Sequence, residues 1–217
     1  MSKFVLAAVL TLSSYAAAEA LEPVTPRGNP ARWVLSEDLS GFGAPKGITG
    51  FDLMVAPSGA AVSCQITMAS ASNALDRTIC AALLQRARFY PARSSDGSPV
   101  PGVWSDRVVW EPQGVGDNSY RRNPPNLVLG SPAIGVGGRQ ERVEMVGVIG
   151  QDGKLESCEV SKAPKKSLAA AGACSAIETS GYLQAVRDEN GAPTRGIRSI
   201  TVLFVPEGVK KQRQGEE

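Results

Sequence analysis

The 217-residue chain contains no histidine. That absence excludes Ser-His-Asp and Cys-His catalysis, histidine-bearing zinc sites and haem held by histidine. Net charge is nearly missing as well, at +2. Without a clustered basic surface there is no counterion-driven affinity for nucleic acid. No G-x-S-x-G, S-x-x-K, H-E-x-x-H or P-loop motif occurs, so the short signatures of hydrolysis and nucleotide binding are absent. Gly41-Phe42-Gly43 runs into Ala44-Pro45-Lys46 and completes no dinucleotide fingerprint. Glu37 and Asp38 are adjacent and diverge on an extended chain, a poor geometry for an acid/base pair. These absences predict a protein that is not an enzyme and takes no metal and no cofactor. What remains is 42% hydrophobic and 20% charged residues, enough apolar side chain to form a core in one or two domains.

A long hydrophobic run is also missing. Lys3 precedes an apolar stretch from Phe4 to Leu12, and small residues follow as far as Ala18-Glu19-Ala20. This order predicts a signal peptide over residues 1–20, cleaved near Ala20, with Ala16-Ala17-Ala18 as a competing site. Ser13, Ser14 and Glu19 interrupt the stretch, short of the roughly 20 apolar residues of a membrane span. No later segment approaches that length. The expectation is an exported chain with no membrane span after cleavage.

Export changes how the cysteines read. Cys64, Cys80, Cys158 and Cys174 form no C-x-x-C, which removes zinc-ribbon and thioredoxin-type sites. Four cysteines allow three pairings, and four buried free thiols are the other possibility. A repeat narrows the choice. At an offset of 94 positions, Cys64 falls on Cys158 and Cys80 on Cys174. Gly59, Gly97, Pro99 and Gly102 fall on Gly153, Gly191, Pro193 and Gly196, and Ser63, Arg93, Ser105, Val108 and Pro112 also meet identical residues. The matches cluster at glycines, prolines and cysteines, where backbone geometry restricts the choice. Two copies of one unit favour Cys64–Cys80 and Cys158–Cys174, one bridge inside each copy.

Both copies carry the same order of elements. Phe51, Leu53 and Val55 alternate with Asp52 and Met54, Pro57-Ser58-Gly59 turns the chain, and Val62, Cys64, Ile66 and Met68 alternate again. That is a hairpin with one apolar face. Asn73 is placed to cap a helix with Asp76 in its first turn, and Leu75, Ile79, Leu83 and Ala87 make its apolar stripe. A loop at Asp96-Gly97-Ser98-Pro99 precedes a third strand from Val103 to Trp110. The second copy repeats this with Val143 to Ile149, Leu155 to Val160, a helix from about Ser167 to Ile177, and Ile197 to Val205. The fold class expected is α+β, as two tandem β-β-α-β modules, each a three-stranded antiparallel sheet with one helix on a face. The expected boundaries are 21–112 and 141–207, with a linker over 113–140 and a flexible tail over 208–217. Leu127 to Leu129 can add an edge strand to the second copy.

Copy one resembles the C-terminal domain of TonB, the energy transducer of outer-membrane transport. The residues that carry the resemblance are Gly59 with Val62-Ser63-Cys64, Leu75-Asp76 and Thr78-Ile79-Cys80. They continue through Arg86-Ala87-Arg88-Phe89-Tyr90-Pro91-Ala92, Gly97-Ser98-Pro99-Val100 and Val108-Val109-Trp110, and upstream Asn29-Pro30-Ala31-Arg32-Trp33 looks like the family's lead-in. Copy two resembles a degenerate member. The resemblance implies a periplasmic binding module whose partner is a protein or peptide of the cell envelope, such as an outer-membrane receptor. It implies capture by strand addition, in which an edge strand pairs with an extended peptide. The candidate edge residues are Val103, Trp104, Arg107 and Trp110 in copy one, and Arg198, Thr201 and Phe204 in copy two. The alternative is a structural or chaperone-like envelope protein without a transport role. Arg77, Arg86, Arg88 and Arg93 are either a basic patch for an acidic partner or a solvated face paired with nearby carboxylates.

Overall fold

A computed structural model of the chain describes residues 20–43, 47–110, 125–134 and 138–207. The expected signal segment before Ala20, parts of the expected linker and the expected tail lie outside them. The architecture is mixed α and β, dominated by one seven-stranded sheet. Strands β1 (Gly47–Val55) and β2 (Ala61–Met68) form the first hairpin. Its turn needs Gly59, which has φ +81 and whose Cβ would lie 2.2 Å from the Phe89 carbonyl oxygen. Helix α1 (Asn73–Arg86) follows, and β3 (Gly102–Trp110) then pairs antiparallel along the whole of β1. Strand β4 (Leu127–Ser131) lies inside the stretch expected as a linker. The second half repeats the order with β5 (Glu141–Ile149), β6 (Leu155–Lys162), helix α2 (Ala173–Thr179) and β7 (Gly196–Pro206). Among the described residues no helix is long and apolar enough to cross a membrane.

Both disulfides are those the repeat favoured, Cys64–Cys80 with Cα atoms 5.6 Å apart and Cys158–Cys174 at 5.9 Å. Each joins an outermost strand, β2 or β6, to the helix of its own half. Two helix details differ from expectation. Ser72, not Asn73, caps α1, its Oγ accepting from the Leu75 N–H at 3.3 Å. Asp76 stands in the first turn, as expected. It is buried, and accepts from Thr49 Oγ1 at 2.9 Å and from the Ser70 N–H, tying the helix start to β1. Helix α2 is shorter than the predicted span, and ahead of it Glu141 accepts from the Ser167 hydroxyl and the Leu168 and Ala169 N–H groups. Those groups are then engaged in an anchored turn, and the α-helix begins only at Ala173.

The larger departure concerns the sheets. Two separate three-stranded sheets were expected. Instead β3 and β7 lie side by side and parallel, through Gly102↔Ile197 and Val103↔Arg198, so the strand order is β6-β5-β7-β3-β1-β2. Glycine permits this approach. A Cβ on Gly102 would lie 2.6 Å from Val24 Cγ2 and 3.0 Å from the Ile197 carbonyl oxygen, and one on Gly196 would lie 2.7 Å from the Pro101 oxygen. These repeat-equivalent glycines are junction residues, where side chains would hold the strands apart.

The helices sit on opposite faces of the joined sheet. Leu75, Ile79 and Leu83 of α1 pack with Phe51, Leu53 and Val55, and the same core takes in Val146, Val148 and Ile197. Ala173 and Ile177 of α2 pack with Val143, Met145, Ile200, Val202 and Phe204, the alternate positions of those same strands. Parallel neighbours with their covered faces exchanged are related by a half-turn about an axis along the strands. Strands β3 and β7 stand in that relation at their junction.

Candidate functional site

Strands β3 and β7 stay together only briefly. Beyond Val103 and Arg198 they part, and β4 takes over the vacated edge of β7, pairing Val202↔Leu127 through Pro206↔Ser131, also in parallel. Asn126 braces this change of partner: its N–H donates to the Thr201 carbonyl oxygen, and its side-chain oxygen accepts from the Thr201 N–H, both at 2.7 Å. The result is a fork. Its prongs are β3 and β4, both running away from the point where Val103 meets Arg198. Among the described residues, no strand lies against β3 from Trp104 to Asp106 on the side turned away from β1.

A cleft of about 930 Å³ fills the fork, within the size of small-ligand and peptide sites. Its floor on the α2 face holds an ion pair that crosses between the two halves of the chain. Arg198 Nη2 donates to Asp52 Oδ2, and Ser105 Oγ donates to Asp52 Oδ1 at 2.6 Å. Tyr182 and Gln184 form a wall. Burial pushes the Tyr182 phenol up from its ordinary range, with smaller effects from Arg198 and Asp52. Burial likewise raises the Asp106 carboxyl and lowers the Arg107 guanidinium. On the other face a second hollow of about 590 Å³ runs beside β3, lined by Trp33, Leu39, Trp104 and Val108. Trp104 belongs to an aromatic cluster there, its ring centroid 5.4 Å from those of Trp33 and Phe89. No family model, curated protein or solved structure matches this chain.

The candidate edge residues meet different fates. Val103 is 3% exposed and closes the crotch of the fork, and Trp104 and Arg107 line the cleft. The side chain of Trp110 lies outside the described residues. Phe204 is 2% exposed in the α2 core, so it has no surface to offer a partner. Arg198 is 8% exposed and engaged with Asp52, while Thr201 is half-buried and held by Asn126. Strand β7 pairs with β5 from Gly196 to Phe204 along one side, and along the other with β3 at Ile197 and Arg198 and with β4 from Val202 to Pro206. The arginine cluster is largely engaged rather than open. Arg86 grips Asp38 with two bonds of 2.6 Å and also donates to the Trp33 carbonyl oxygen, while Arg93 reaches the Gly97 oxygen and Glu22. That hydrogen bonding, with the Leu35 N–H, lowers the Asp38 pKa to about 2.

Sequence reasoning missed Asp52, Ser105, Asn126 and Tyr182. A signal for the ion pair did exist, in the places where the repeat breaks. Asp52 corresponds to Val146 in the other copy, and Arg198 to Trp104. Opposite charges at non-equivalent positions of two matching sheets mark a contact between copies rather than within one.

Proposed function

We propose that the chain is a periplasmic protein-binding module of the TonB C-terminal kind, built from two tandem β-β-α-β units. It engages an extended peptide or envelope partner by strand addition, in relation to outer-membrane transport. The observation that carries this reading is the edge of β3 from Trp104 to Asp106, which borders a cleft and has no strand beside it among the described residues. Backbone groups on such an edge supply affinity, and alternate side chains supply selectivity. Capture belongs to β3 and not to β7, most of whose two edges already pair with β5, β3 and β4.

A second reading is favoured by the junction itself. Joining two terminal strands consumes edges that a peptide binder would keep, as a structural or chaperone-like envelope protein would do. Hydrogen exchange separates the two. The oxidised full chain is titrated with synthetic peptides from the N-terminal segments of outer-membrane receptors, and amides 104–106 are followed. Saturable slowing there supports capture. Unchanged exchange with every peptide leaves the structural reading.

A further inference from the structure

We infer that the fork takes the free C-terminus of an extended polypeptide, laid antiparallel to β3 and β4 with its terminal carboxylate at Arg198. This deepens the strand-addition reading and rests on it. Direction follows from topology. Both β3 and β4 are parallel to β7, so they are parallel to each other and run away from the crotch. A strand inserted between them is parallel to both or antiparallel to both, and antiparallel ladders are the more stable. An antiparallel insert points its C-terminal end inward.

The crotch then decides what that end can be. At Val103 the edge of β3 is taken by β7, so no inserted strand continues past it. The chain must stop there, or turn out of the sheet and forfeit its ladder. Beside that stop stands Arg198, whose side chain is nine-tenths buried. Its Nη2 serves Asp52, while its Nε is buried with no hydrogen-bond acceptor among the described residues. A guanidinium has five N–H donors and commonly serves more than one carboxylate oxygen. Asp52 already accepts from Arg198 and Ser105, so its own charge is compensated. Around the cleft Arg107, Arg142 and Arg198 stand against Asp52, Asp106 and Glu144, so no excess of negative charge repels an arriving carboxylate.

The test compares chain ends on one sequence. An N-acetylated heptapeptide of alternating threonine and valine, led by one lysine for solubility, is made as the free acid and as the C-terminal amide. Binding to the oxidised full chain is measured by fluorescence anisotropy, with hydrogen exchange at amides 104–106 and 127–130. The free acid is expected to bind about tenfold more tightly, the value of one charge-assisted hydrogen bond. That preference should vanish in the paired variant Asp52→Asn/Arg198→Gln, which removes both charges together. The acid and amide comparison on the unaltered protein stands even if that variant fails to fold. Equal binding of acid and amide, with amides 104–106 slowed by both, overturns the carboxylate assignment and leaves strand addition intact. If a free-amine version instead binds better than the acetylated one, the insert lies parallel and the proposal fails. If neither form slows those amides, strand addition at the fork fails, and the present inference with it.

Discussion

The two disulfides invite a paired experiment, because they close loops of the same length and hold different structures. Each spans a sequence separation of 16, so chain entropy assigns each about 3 kcal/mol. For a chain of this size that corresponds to a fall of roughly 6–12 °C in Tm. The consequences should diverge beyond that common loss. Helix α1 runs for 14 residues, has Ser72 as its cap, and buries Leu75, Ile79, Ala82 and Leu83. Helix α2 runs for only 7 residues, has no side-chain cap, and buries Ala173 and Ile177. Helices that short are not stable without tertiary support. Cys64→Ala/Cys80→Ala should therefore lower Tm and leave α1 folded. Cys158→Ala/Cys174→Ala should lower Tm and also release α2, seen as fast exchange of amides 173–179 well below the global transition. Persistent protection of α2 in the second variant, or release of α1 in the first, would refute the argument that helix length and anchoring decide what each bridge does.

Other consequences are more local. Gly102→Ala places a methyl against Val24 and the Ile197 carbonyl oxygen, and should cost about 1–3 kcal/mol in urea denaturation. Arg198→Ala leaves the half-buried Asp52 without its cation and should cost about 3–5 kcal/mol, with much less lost when both partners are replaced together by apolar residues of similar volume. The Asp38 carboxyl titrates at about 2 in the folded chain, held down first by Arg86, against 3.8 for an unperturbed aspartate. A carboxyl with a depressed folded pKa gives stability that is present above the unfolded pKa and is lost as pH falls through the folded one. Asp38→Asn should therefore flatten the loss of stability between about pH 4 and pH 2, measured by denaturant midpoints across that range.

Much of the fold was legible in the chain because its causes are local. Alternation of Phe51, Leu53 and Val55 fixes a half-buried strand whatever lies beyond it, and four-residue spacing of Leu75, Ile79 and Leu83 fixes the face of α1. The offset that aligned Cys64 with Cys158 also paired the cysteines correctly, since equivalent units close equivalent bridges. Misplacements were local: Ser72 caps α1 in place of Asn73, and Glu141 holds residues 167–169 in a turn ahead of α2. The site was far less legible. Its parts lie at Asp52, Ser105, Asn126, Tyr182 and Arg198, and nothing in periodicity says which distant strand stands beside which.

The sequence by itself determined the two hairpins, the helix that follows each and the two sulfur bridges, all set by backbone propensity, side-chain alternation and short-range closure. Only the tertiary structure decided that the two hairpins share one sheet, with helices on opposite faces and a fork where β3 leaves β7. The physical reason is that strand edges carry no side-chain label: any edge offers the same N–H and C=O groups. The choice of neighbour fell to two glycines that let backbones approach and to one ion pair between the copies.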